Sequence, residues 1–334
     1  MSNPIRLLNL GPLPAGHTQA IYHVLAEQMD DGGQDTIVLC STAEPYLCLG
    51  FHQVYESIFD AGECNRRNLP VYRRELGGGA TYLDKNQIFY QCIFHHQHLP
   101  VMIKDIYAFA LAAPVNALRR LGLNAALRDT NEIEVDGKRI AGTGGGRIGE
   151  ATVIVGNLLF DFDFETMAAV WRTPTPAFRR LAGKAMRECM AALKTLPVDL
   201  SMEDAAGLLA DCFTQSTGRR LEPGALTANE LHAVAEKAEE LASPQFLGLR
   251  HDSAAPQPTR ALKITARAMI RYDEIQQDGY NIQGNFWTME GRIQEAILES
   301  APERSWRPIE QALRGCPYQE WQERFAEVYQ RELR

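Results

Sequence analysis

Two short apolar runs, residues 132–135 (EIEV) and 138–141 (KRIA), are separated only by Asp136-Gly137. A two-residue Asp-Gly connection is the strongest short-range hairpin signal, because both central residues must accept positive φ. The middle of the chain is thereby committed to antiparallel pairing. Other short runs read as strands: 36–40 (TIVLC), 46–51 (YLCLGF), 70–75 (PVYRRE), 80–83 (ATYL), 88–94 (IFYQCIF) and 151–160 (ATVIVGNLLF). They are rich in β-branched and aromatic residues and bounded by turn residues. A helix is expected over 17–29, where Ile21, Val24, Leu25 and Met29 fall at helical spacing. A second is expected from Asp105 to about Leu121, capped by Asp105 and stopped by Gly122, with Pro114 arguing against an unbroken run.

The pattern changes beyond residue 165. Residues 165–242 read almost entirely as helices, with Thr227 and Glu230 forming a capping box. The polar stretch 251–259 (HDSAAPQPT) reads as a linker. After it come strands over 261–272 and 281–299, with turns at Asp278-Gly279 and Glu290-Gly291. A helix over about 308–313 and a charged terminal helix close the chain. The expected class is α/β (α+β): a large mixed-sheet domain over 1–250, the linker, and a small α+β domain over 260–334.

Charge and cysteine usage narrow the function classes. The chain has 34 basic and 42 acidic residues and a net charge of −8, which argues against nucleic acid as a partner. No stretch approaches the ~20 apolar residues of a membrane helix, and the amino terminus reads as no signal peptide. The seven cysteines are odd in number and form no C-x-x-C pair. A reduced, cytoplasmic protein with several core cysteines is expected, without a disulfide framework or structural zinc.

Three segments carry the chemistry. In VYRRELGGGATYLD, residues 71–84, consecutive glycines between strands leave backbone N–H groups open to an anionic oxygen. Arg73 and Arg74 precede them, and strand alternation lets only one of the two share a site with the loop. In RDTNEIEVDGKRIAGTGGG, residues 128–146, the hairpin presents Lys138 and Arg139 on opposite faces, and Asn131 enters the first strand within reach of a ribose or purine edge. The basic pairs Arg66-Arg67, Arg73-Arg74 and Lys138-Arg139, with Arg147, concentrate near these glycine-rich segments in an otherwise acidic chain, as a polyphosphate site or an acidic partner requires. His95, His96 and His98 (HHQH) read as a solvated strand end, since no Cys or carboxylate lies close in sequence, and no metal is expected.

In this order and spacing, RRELGGGATYLD, TNEIEVDGKRIAG, VIVGNLLFDFD and the earlier YLCLGFHQVYESIF, with Gln53 and Glu56, resemble the lipoate–protein ligase A family of the biotin/lipoate ligase superfamily. The likeness extends over nearly the whole chain, the small C-terminal domain included. It implies a two-step reaction in which Mg-ATP and lipoate, or a related small carboxylic acid, give an acyl-adenylate, and a lysine of a lipoyl-acceptor domain then takes the acyl group. It also implies that Arg73, Arg74, Gly77, Gly78, Gly79, Ala80, Asn131, Gly142 and Thr143 hold the nucleotide. Val71, Tyr72 and Phe94 would help form the slot for the acyl chain.

Departures from the family pattern fall on polar groups. Arg139 stands where the family places a lysine before [IV]-[SA]-G, and Lys138 lies one residue earlier, so both are candidate catalytic residues. Val155-Gly156 replaces His-Gly, Leu83-Asp84 replaces His-Asp, and Asn131-Glu132 replaces Asn-Asp. Arginine keeps the charge but is planar and never deprotonated. Two alternatives follow. One is an octanoyl or lipoyl transferase working through a cysteine thioester, although Cys64, Cys92 and Cys189 each read first as core or bystander residues. The other is a non-catalytic homologue that binds acyl groups, nucleotide or carrier protein.

Overall fold

The computed structural model describes residues 3–250 and 256–332; residues 251–255 of the expected linker lie outside them, and 256–259 are irregular. The chain opens with β1 (Ile5–Leu13), α1 (His17–Glu27), β2 (Thr36–Thr42), β3 (Tyr46–Leu49) and the short helices α2 (Tyr55–Ile58) and α3 (Ala61–Arg66). Next come β4 (Val71–Arg73), β5 (Thr81–Leu83), β6 (Gln87–His95), α4 (Ile103–Arg120), β7 (Ala125–Arg128), β8 (Glu132–Val135), β9 (Lys138–Ile148) and β10 (Ala151–Leu159). They are followed by α5 (Phe164–Val170), α6 (Pro176–Cys189), α7 (Met202–Thr217), β11 (Leu221–Pro223), α8 (Ala228–Ala242) and α9 (Pro244–Leu247). The last elements are β12 (Ala261–Lys263), β13 (Ala268–Gln277), β14 (Tyr280–Met289), β15 (Arg292–Ala301), α10 (Arg307–Leu313) and α11 (Trp321–Glu332).

Two compact units result. Among the described residues, one comprises 3–55, 64–162 and 191–250, and the other 56–63, 163–190 and 256–332. The second therefore takes in two segments from inside the span read as one domain, 1–250. The reason is packing within that unit: α6 is amphipathic and lays Phe178, Leu181, Ala182 and Met186 inward, against β13 and β14.

The first unit is organised by an eight-stranded sheet in the order β11-β1-β2-β6-β10-β9-β8-β7. Its β11-β1-β2 side is parallel and the remainder antiparallel. Alternation along β6 sorts the two faces. Ile88, Tyr90, Cys92 and Phe94 join the core under α4 and α7, whereas Phe89 and Ile93 join the core under α1 and α8. A three-stranded sheet, β4-β3-β5, contributes Tyr46, Cys48 and Leu83 to that second core.

Some elements differ from the sequence reading. β1 is a strand despite Gly11 and Pro12, because a bulge between Asn9 and Gly11, with Gly11 at φ 62°, absorbs the irregularity. α4 runs unbroken through Pro114, which is buried; the cost is one backbone hydrogen bond, offset by tertiary packing. The Asp136-Gly137 hairpin is present, with φ of 49° and 77°. Asp278-Gly279 and Glu290-Gly291 close the β13–β14 and β14–β15 hairpins of the four-stranded sheet β12-β13-β14-β15 with similar angles. Among the described residues no helix is long and apolar enough to cross a membrane.

Candidate functional site

The glycine loop joins β4 to β5 and is held from beneath by the two arginines that precede it. Arg73 is fully buried and gives its guanidinium to backbone carbonyls: Nε donates to Phe246 O at 2.8 Å, and Nη1 to Phe51 O at 2.9 Å and Gln53 O at 2.7 Å. Arg74 Nη2 donates to Gly77 O and Gly79 O, both at 2.8 Å, and Nη1 faces Cys48 Sγ at 3.4 Å. The expectation that one arginine reaches a ligand beside the loop is corrected here, because both cations are enclosed and serve as braces. The physical reason is that the loop's inward carbonyls need donors, and β4 ends at Arg73, so alternation no longer turns the next side chain outward. With the carbonyls of Gly77 and Gly79 drawn to Arg74, the N–H groups of Gly77, Gly78 and Gly79 have no protein acceptor among the described residues. Gly78 and Gly79 are exposed, and Gly78 has φ 97°. Such a turn offers donors to an anion.

Beside the loop, β9 runs past it: Gly77 O lies 3.7 Å from where a Cβ on Gly144 would sit. A bulge in β9 decides which side chains face this region. Glu134 pairs with Arg139 and Ile133 with Ala141, so Ile140 is the extra residue. Ile140 and Ala141 both enter the core under α4, and Arg139 and Gly142 share the opposite face with Glu132. Arg139 Nη1 lies 3.8 Å from Glu132 Oε1, whose side chain is buried. The guanidinium covers Gly142 so closely that a Cβ there would meet Nη2 at 2.0 Å. Lys138 is exposed at the hairpin end.

The neighbouring polar groups form a row. Gly142 N–H donates to Asn157 Oδ1 at 3.3 Å, and Asn157 Nδ2 donates to Gln87 Oε1 at 2.7 Å. Asn131 gives its amide nitrogen to Thr143 O at 3.1 Å, and Thr143 Oγ1 meets Tyr90 OH at 3.2 Å on the other face. Ala80 is half-buried at the end of the glycine loop. Val71, Tyr72 and Phe94 do not form one slot. Phe94 lies in the core under α4 and α7, and Tyr72 packs on the core under α1 and α8.

The sequence reading missed the support that His23 gives the loop. His23 is buried in α1; its Nδ1 lies 2.7 Å from Gln19 O, and its Nε2 accepts the Glu75 N–H at 3.0 Å. Those partners fix a neutral ring with the proton on Nδ1. Burial is the main cause that pushes its pKa down to about 4, and the charges of Lys237 and Arg74 add to it. Lys237 in turn pairs with Glu27 at 2.7 Å, Glu240 at 2.9 Å and Glu75 at 3.5 Å. No periodicity announces this brace, since His23 occupies an ordinary core position of an amphipathic helix.

Among the described residues none of the seven cysteines forms a disulfide; six are buried and Cys316 is half-buried. Burial pushes the thiols of Cys40, to about 12, and of Cys92 upward, which disfavours the nucleophilic thiolate.

The lipoyl protein ligase A/B catalytic domain model matches residues 14–214, more than half of the chain. The chain belongs to the lipoyl protein ligase A/B family. Within the family's reach, it is 26% identical over 262 residues to octanoyltransferase LipM of Kyrpidia tusciae, spanning 71% of this chain and 94% of that protein. Its fold is that of an archaeal bipartite lipoate protein ligase from Thermoplasma acidophilum, with TM-score 0.69, 22% identity, and coverage of 76% of this chain and 100% of that one. A lipoate-protein ligase A solved with ATP is similar at TM-score 0.64 and 21% identity, over 74% of this chain and all of that one.

Two predictions follow from the geometry of this family member. The nearest atoms that Gly142→Ala meets belong to the flexible end of Arg139, so thermal unfolding shifts little while the Arg139–Glu132 pair is displaced. Loss of ligand-dependent activity without loss of melting temperature is the expected pair of readouts. For His23, the folded ring refuses a proton that the unfolded chain accepts below its ordinary 6.5. Its stabilising contribution is therefore full above that value and falls as pH drops toward about 4, at roughly 1.4 kcal/mol per pH unit. Denaturant unfolding of the wild type should show this slope, and His23→Gln should be less stable at pH 7 with the slope reduced.

Proposed function

We propose that this chain is an ATP-dependent lipoate–protein ligase, acting on lipoate or a related medium-chain acid and on a lysine of a lipoyl-acceptor domain. The observation that carries the reading is the glycine loop turned donor-side out beside the Arg139–Glu132 pair. Activation joins the acid's carboxylate oxygen to the α-phosphorus of Mg-ATP and expels pyrophosphate. Negative charge accumulates on the phosphoryl oxygens, where backbone N–H groups and a fixed cation stabilise it most. The N–H groups of Gly77, Gly78 and Gly79 supply the donors, and Arg139 supplies a permanent charge that also holds the acid's carboxylate. The acceptor amine then attacks the acyl carbon, and AMP leaves. Lys138, exposed at the hairpin end, is available to a carrier surface rather than to the reacting atoms. The ATP seen with one structural relative supports the nucleotide, and the reduced interior expected from the cysteines supports a cytoplasmic setting.

Octanoyl transfer is the activity named for the LipM relative, and the second reading is such a transfer between carrier proteins without ATP. Through a cysteine thioester it needs a reachable thiol, which the burial of six of the seven cysteines disfavours. ATP–pyrophosphate exchange measured with lipoate, octanoate and biotin separates the readings. Exchange with lipoate or octanoate is expected, and Arg139→Ala should lower it about 100-fold. Acylation of a carrier protein without ATP, and no exchange with any acid, would replace the ligase by the transferase.

A further inference from the structure

At the far end of β6 from Gln87, three histidines meet carboxylates that arrive from other segments. The reading of this stretch as a solvated strand end is corrected by His95, which is 2% exposed. Its Nδ1 receives only a long contact from Gln97 N–H at 3.4 Å, and its Nε2 is buried without a hydrogen-bond partner. A buried polar atom left in this state costs about 1–3 kcal/mol. His96 lies beside it, the rings tilted with centroids 4.7 Å apart, and its Nδ1 is 3.1 Å from Glu150 O and 3.2 Å from Glu150 Oε2. One ligand atom each from His95, His96 and Glu150 lies within 4.8 Å of the others.

Two neighbours sharpen the reading. Asp31 Oδ1 stands 3.9 Å from His95 Nε2. That is too long for a hydrogen bond and wider than the ~3.3 Å between two ligands about 2.0 Å from a tetrahedral ion, so the exposed Asp31 side chain must turn inward to join the shell. Arg147 Nη2 lies 3.4 Å from His96 Nδ1 and 3.3 Å from Glu150 Oε2. The spot thus already attracts a cation, through long contacts from a half-exposed side chain whose Nε donates to Gly149 O at 2.9 Å. His98 is committed elsewhere, with Nδ1 2.9 Å from the buried Asp35 carboxylate, which Arg219 also engages.

We propose that His95, His96 and Glu150 bind a borderline divalent transition-metal ion, with Zn2+ as the type case, and that Asp31 or water completes its shell. Two imidazoles and one carboxylate suit Zn2+, Co2+ or Ni2+ rather than Mg2+ or Ca2+. Ligation through His95 Nε2 places the ring proton on Nδ1, so the long Gln97 contact is given up. The ion would clamp the β9–β10 turn to the end of β6 and stabilise the fold by mass action. The proposal is independent of the ligase reading.

The test uses the intact chain with Zn2+ alone, by calorimetry and thermal unfolding, and with Co2+ by visible absorption. Binding of one equivalent, a rise in melting temperature and a tetrahedral-type Co2+ spectrum are expected. His96→Gln and Glu150→Gln, both at partly exposed positions, should each weaken binding about tenfold or more. His232→Gln, on the surface of α8, should leave it unchanged, and Arg147→Gln should tighten it. Absence of stoichiometric binding, or equal binding by the His96→Gln/Glu150→Gln double variant, would overturn the site.

Discussion

One extra residue in β9 governs the candidate site. A strand without the bulge at Ile140 would put Arg139, Ala141 and Thr143 on one face and Ile140 and Gly142 on the other. The bulge lets Ile140 and Ala141 both enter the core and returns Arg139 to the face of Gly142 and Glu132. It thereby makes a half-buried guanidinium compatible with a core hairpin. The same insertion turns Gly144 toward the glycine loop and Thr143 toward Tyr90. Apolar packing of two successive residues is thus the force that positions the charge.

The loop beside it follows a complementary principle. Three glycines in a row have no side chains with which to order themselves, and their backbone would fluctuate if left alone. Arg74 removes that freedom by gathering the Gly77 and Gly79 carbonyls, while His23 fixes the backbone of Glu75 just ahead of them. A buried arginine saturated with carbonyl acceptors and a neutral histidine are both costly to place. They bring rigidity to a segment that, in the proposed ligase reaction, would present donors without rearranging as charge develops.

Much of this fold was legible from short-range pattern. The Asp136-Gly137 hairpin, the strand runs of the main sheet and the Thr227–Glu230 capping box are local signals. What resisted reading was long-range or compensated. β1 hides behind Gly11 and Pro12, and α4 tolerates Pro114, because tertiary packing outweighs propensity. Basic residues ahead of a glycine loop look alike in sequence whether they meet a ligand or a carbonyl, and only burial separates the two for Arg73 and Arg74. The sequence around HHQH shows no carboxylate partner because Asp31, Asp35 and Glu150 come from outside that stretch. The alternation that placed Lys138 and Arg139 on different faces needed no tertiary information, but which of the two turns inward depended on the bulge.

The second unit is woven from segments that leave the first unit and return to it. The chain passes from one to the other after residues 55, 63, 162 and 190, and again before 256. During synthesis from the amino terminus, α6 emerges well before β13 and β14, the strands that cover its apolar face. That face must wait, uncovered, until residues 268–289 have followed. A nascent chain with such an amphipathic helix in suspense is a natural client for holding factors. Any shortened gene product ending near residue 250 would carry the same greasy flank permanently, so this unit depends on the completeness of its message.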